Sequence, residues 1–144
     1  MQRDLEIFEP FEVAEPEEDH KIRVAASLSH FSETIKTIIE SIEPVEIVRL
    51  GGAGNKCCNL AQSTVDAYIH PSPGLHHWDL CAPESLIKGM GGWATNLYQE
   101  RLSYPVDQPT KLKGLILARH PPMYNAIKKR MGDTLINIAK TVKL

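Results

Sequence analysis

No apolar run in the 144-residue chain approaches the roughly 20 residues that a bilayer-spanning helix needs. The opening MQRDLEIFEPFE carries acids where a secretory leader needs an apolar stretch, so a cytoplasmic protein with no membrane partner is expected. Cysteine is scarce. Cys57, Cys58 and Cys81 form no CxxC pair and have no spacing that suits structural zinc, so reduced thiols, partly in the core, are expected. Aromatic residues make up only 6% and do not interleave with the basic ones, which argues against a nucleic-acid partner.

What remains is an ordinary globular balance of 42% apolar and 24% charged residues, enough chain for one domain with a real core. The net charge of −2 is unevenly spread. Acids from Asp4 to Asp19 fill the start, whereas from Lys111 onward the only acid is Asp133 among Lys111, Lys113, Arg119, Lys128, Lys129, Arg130, Lys140 and Lys143. The basic end reads as a solvated helix face or a contact for an acidic neighbour. Residues 1–20, acidic and interrupted by Pro10 and Pro16, read as a mobile arm, leaving 21–144 as the domain.

Periodicity organises that domain into alternating strands and helices. KIRVAASL alternates, placing Ile22, Val24, Ala26 and Leu28 on one side of a half-buried strand. Ile35, Ile38, Ile39 and Ile42 follow at helical spacing, with Ser29 or Ser32 as cap and Pro44 as stop. VEIVRL reads as a second, buried strand ended by Gly51 and Gly52, with a helix from about Asn55. Val65, Ala67 and Ile69 mark a third strand. The next helix has Asp79 as N-cap, Pro83 and Glu84 in its first turn, apolar Leu86, Ile87 and Met90, and Gly91-Gly92 as its end. WATNLY and GLILA are strand candidates, and Pro122 to Lys143 reads as one or two helices broken near Gly132. The pattern predicts an α/β layered sheet with flanking helices and a binding face at the strand ends.

Three strand-to-helix junctions carry groups suited to chemistry. Gly51-Gly52-Ala53-Gly54-Asn55-Lys56 leaves a strand and opens a helix, so free backbone N–H groups and a lysine converge where a phosphate could sit. It matches neither the P-loop, for want of Ser or Thr after Lys56, nor the dinucleotide fingerprint, whose third glycine would fall at Cys57. Ser27, Ser29, His30 and Ser32 crowd the first junction, and Asp79 in Trp78-Asp79-Leu80-Cys81-Ala82-Pro83-Glu84 puts a hard oxygen at a helix start. Alone, each is better read as helix capping or turn structure.

Together, SLSHFSETI, VRLGGAGNKCCNLAQSTVDAYIHPSPG and WDLCAPESLIKGMGGWATNL resemble the C-terminal part of the inositol monophosphatase superfamily, within it the bisphosphate nucleotidases, over residues 22–125. Asp79 of the WDxCAPE motif lies 23 residues after Lys56 of GGAGNK. The resemblance implies the C-terminal domain of that fold. By it, Asp79 would coordinate catalytic magnesium, and Ser27, His30, Gly52 and Lys56 would hold the nucleotide and its phosphates. The family's substrate would be adenosine 3',5'-bisphosphate, hydrolysed to AMP with magnesium activating the attacking water. Ser27 stands where threonine is usual, and His76-His77 where lysines commonly precede Trp-Asp. His70, His76 and His77 are given no metal role.

The same resemblance marks a gap. The family's other metal ligands, including a glutamate and an Asp-Pro-x-Asp-Gly-Thr motif, belong to an N-terminal half, and that motif does not occur here. One aspartate cannot hold several magnesium ions against water. The expectations are therefore a phosphatase half inactive by itself, one part of a split enzyme completed by a separate N-terminal half, or a non-catalytic nucleotide-binding domain, with a homo-oligomer as a further possible partner. An inositol polyphosphate phosphatase is the neighbouring alternative within the superfamily.

Overall fold

The computed structural model describes residues 21–107 and 111–132, together with Thr134 and Asn137. The acidic segment expected as an arm lies outside the described residues.

Short apolar segments form five strands: β1 (Arg23–Ser27), β2 (Glu46–Leu50), β3 (Ala67–His70), β4 (Trp93–Thr95) and β5 (Leu115–Ala118). Four helices connect or follow them: α1 (Glu33–Glu40), α2 (Ala53–Ala61), α3 (His77–Gly89) and α4 (Pro121–Met131). The sheet order is β2-β1-β3-β5-β4, with β1 parallel to both β2 and β3, and β5 antiparallel to β3 and β4.

Alternate side chains feed two cores. Val24, Ala26, Ile69 and Ile116 meet α1 and α4 on one face. Ala25, Tyr68, Leu115 and Leu117 meet α2 and α3 on the other. The result is a helix–sheet–helix sandwich, as the alternation of elements predicts. Ile35, Ile38, Ile39 and Ile42 are all buried, Ser32 caps α1 by accepting the Ile35 N–H at 3.3 Å, and Gly132 ends α4.

Several expectations need correction. β1 is an inner strand buried on both faces rather than half-buried, and Leu28 lies past its end, 58% exposed. β2 is an edge strand with no fully buried residue, because β3 takes the place on the other side of β1. The helix expected near Asn55 starts at Ala53, with Gly52 as N-cap at φ 72°, a left-handed conformation that suits glycine.

In α3 the N-cap is His76, and Asp79 occupies the third helical position, where its Oδ2 reaches back to accept the His76 N–H at 2.8 Å. Pro83 and Glu84 therefore fall in the second turn, and lacking an N–H, Pro83 leaves the Asp79 carbonyl without its usual helical donor. Leu86 and Met90 are half exposed, so Leu80 and Ile87 hold α3 to the sheet. At Gly92 a Cβ would come within 2.9 Å of the Ala118 carbonyl oxygen, so only glycine lets the chain turn into β4 against β5.

Candidate functional site

Strand direction places the three junctions together. β1, β2 and β3 run parallel, so Ser27, Gly51 and His70 end on one edge of the sheet. The chain leaves β1 through α1 on one face and leaves β3 toward α3 on the other, which opens a crevice between β1 and β3 at their C-terminal ends.

Ser27 ends β1, and its Oγ accepts the His30 N–H at 3.2 Å. His30 is exposed, with Nδ1 3.0 Å from Ser29 Oγ. Arg49 of β2 braces the junction, donating to the carbonyl of Ser27 at 2.7 Å from Nε and to that of Leu28 at 2.5 Å from Nη2.

Lys56 is the unusual group. It is only 3% exposed, and its Nζ donates to the Gly52 carbonyl at 2.9 Å while lying 5.0 Å from the centre of the Tyr68 ring. Desolvation lowers its pKa, opposed by the neighbouring Cys57. A buried ammonium with one hydrogen bond and an aromatic face retains donor capacity for an anion, next to the open N–H groups of α2.

Asp79 lies in the first turn of α3, about a third exposed, with His76 Nδ1 3.8 Å from Oδ2. His76 stacks on Trp78 at 4.4 Å. No three His, Cys, Asp or Glu side chains gather as a metal site among the described residues. Magnesium requires near-octahedral oxygen coordination, which a single carboxylate does not provide.

Two residues given no role by sequence reasoning complete the crevice. Burial pushes the His70 imidazole down to about 4, helped electrostatically by Lys56 and His30 and opposed by Asp79, so the ring is neutral at physiological pH. Its Nε2 pairs with Ser72 Oγ at 3.2 Å. Tyr68, fully buried, has a hydroxyl without a partner among the described residues, and burial raises its pKa. Period 2 puts 68 and 70 on one face of β3, but only the packing shows that this face meets α2 and α3. The structure brings Lys56, His30 and Asp79 within electrostatic reach of His70, and Ser27 joins them through His30. Cys57 is buried and Cys58 and Cys81 are exposed, all as free thiols.

The model of the inositol monophosphatase family matches residues 8–136, nearly the whole chain and part of the acidic segment. The chain belongs to the inositol monophosphatase family. Among curated relatives, 3'(2'),5'-bisphosphate nucleotidase 1 of Mus musculus is 35% identical over 81 residues, covering 56% of this chain and 26% of that protein. Inositol monophosphatase 3 of Danio rerio is 32% identical over 117 residues, covering 76% and 33%. The chain thus spans about a quarter to a third of the curated relatives it matches. Staphylococcal IMPase-II superposes with a TM-score of 0.69 at 15% identity, covering 88% of this chain and half of that one, which places the domain in the family's fold. This inositol monophosphatase-family domain has no helix, among the described residues, long and apolar enough to cross a membrane.

Proposed function

We propose that this domain is the substrate-holding half of a magnesium-dependent phosphatase of the bisphosphate nucleotidase type, and that it binds the phosphate of AMP or adenosine 3',5'-bisphosphate without hydrolysing it unaided. The observation that carries this reading is the buried ammonium of Lys56 in the first turn of α2, which holds one hydrogen bond and, like Asp79, acts electrostatically on His70. The α2 N-terminus and Lys56 take the phosphate, Gly52 lets the backbone approach it, and Ser27 with His30 positions the nucleoside.

Asp79 contributes one oxygen to a magnesium centre that, when complete, would activate water for attack on phosphorus. The remaining carboxylates must come from outside the described residues or from a second polypeptide, either a separate N-terminal half or another copy. The nucleotide is favoured over inositol phosphate by GGAGNK and by the serine–histidine junction, and by the higher identity to the mouse nucleotidase. Non-catalytic nucleotide binding is the second reading, favoured by the lack of a described carboxylate cluster.

The test pairs calorimetry with AMP and a magnesium-dependent phosphate-release assay on adenosine 3',5'-bisphosphate. Binding without turnover is expected. Turnover by the purified chain that Asp79→Asn abolishes would contradict the half-enzyme reading, and absence of AMP binding would contradict the site itself.

A further inference from the structure

β4 lies at one edge of the sheet, with β5 between it and β3. Bounded by β4, the turn that follows it and α4 is an open cleft of about 490 Å³, within the roughly 300–1,000 Å³ typical of small-molecule sites. Its walls include Trp93, Gln99, Arg101, Tyr124, Asn125 and Lys128, and no acidic side chain lines it. The turn keeps Arg101 without a carboxylate. Glu100 is the only acid between Asn96 and Arg101, and Asn96 Nδ2 donates to its Oε2 at 2.8 Å. Asn96 Oδ1 in turn accepts the N–H groups of Tyr98 at 2.9 Å and Glu100 at 3.0 Å, fixing a turn in which Gln99 sits at φ 65°. Among the described residues neither Arg101 nor Lys128 forms an ion pair.

The aromatic wall is held in place from behind. Tyr124 Oη and Thr95 Oγ1 lie 3.0 Å apart in a buried hydrogen bond, and the Trp93 and Tyr124 rings are 6.2 Å apart at 53°. Trp93 is 37% exposed, with the Arg101 guanidinium 5.8 Å from its ring centre. The start of α4 borders the cleft through Pro121 but offers it no free amide. Pro121 and Pro122 have no N–H, that of Met123 goes to His120 Nδ1 at 3.2 Å, and that of Tyr124 to the His120 carbonyl at 3.1 Å. The helix start is therefore no phosphate cradle, and recognition of an anion falls to the side-chain donors.

We propose that this cleft binds a small planar aromatic carboxylate, its ring against Trp93 and Tyr124 and its carboxylate held by Arg101 and Lys128. The planar fork of guanidinium donors matches a carboxylate through two parallel hydrogen bonds, and two unpaired cations on the walls favour an anion over a neutral acceptor. A flat ring stacked on the indole meets the neighbouring phenol in the tilted geometry that aromatic pairs favour. The cleft shares no lining residue with the phosphate crevice, so the inference stands apart from the proposed function.

Naphthoate is the probe, with naphthamide as its uncharged match. The chain has two tryptophans, Trp78 and Trp93, so the second indole serves as an internal control. In the isotope-labelled full chain, naphthoate should shift the Trp93 indole N–H resonance saturably and leave that of Trp78 in place. The dissociation constant should be about millimolar, as the efficiency expected for about 13 heavy atoms implies. Arg101→Gln and Lys128→Gln, both at exposed positions, should each weaken binding about tenfold while the rest of the spectrum remains that of the folded domain. The proposal is overturned by the absence of a saturable Trp93 shift, by an equal shift of Trp78, by an equal response to naphthamide, or by undiminished affinity in either variant.

Discussion

The hydroxyl of Tyr104 donates a hydrogen bond to the buried carboxylate of Glu84, tying the segment after β4 across the second turn of α3. Glu84 also pairs with Lys88 one turn on, and Tyr104 packs edge-on against His77 at 5.2 Å. Burial, reinforced by the Glu84 bond, raises the Tyr104 pKa. The strap thus holds the helix that presents Asp79.

Tyr104→Phe removes a donor from a carboxylate that burial has cut off from water. The expected cost is about 1–3 kcal/mol in unfolding free energy, read from urea denaturation. Because the raised pKa favours the neutral phenol in the fold, this contribution is present below the ordinary tyrosine pKa of 10.0 and declines as pH rises beyond it. The variant should lack that alkaline slope.

Asp66→Asn should be among the most damaging single changes. It strips the shared counter-charge from Arg23 and Arg119, with an expected loss of about 3 kcal/mol, at the low end for broken buried pairs because Arg23 is about a third exposed. Although burial raises the Asp66 pKa, the bonds and charge of Arg23 and the charge of Arg119 bring it below the ordinary value of 3.8. The wild-type contribution is therefore present above that value and lost as pH falls below it. Melting at neutral pH and at pH below 3.8 should show a smaller difference between variant and wild type in acid.

Much of this architecture is legible in the residues. The isoleucines of α1 reveal a helix and its buried face because both depend on local spacing, and the glycine pair before α2 marks a turn that its positive φ requires. The edge position of β2 was not legible, since strand order is decided by which helix crosses which face. Asp79 reads as a cap in the sequence because a carboxylate stabilises a helix start from either position, and only the backbone path separates the third residue from the N-cap. Lys56, His30 and Asp79 could be named from motif spacing. Tyr68 and His70 could not, because their role depends on which face of β3 meets α2 and α3.

Acid should destabilise the domain through His70. Its folded pKa of about 4 lies below the ordinary 6.5, so the unfolded chain takes up the proton first. Stability is whole above pH 6.5 and falls as pH drops toward 4, by about 3 kcal/mol at most from this group. His70→Gln should flatten that part of the stability profile, and an unchanged slope would show that the imidazole is not buried as described.

Lys56→Met separates binding from structure. Lys56 is a buried residue whose ammonium rests on one carbonyl and a ring face, and desolvation lowers its pKa. An apolar side chain of similar length keeps the packing against Tyr68 without the desolvated charge. The variant should therefore unfold at the same denaturant concentration as wild type or a higher one. Its affinity for AMP should fall about 10- to 100-fold, the equivalent of one charged hydrogen bond. If Lys56 served only the fold, stability would drop and the affinity of the remaining folded protein would hold, so urea melts and calorimetry on the same preparation decide between the two.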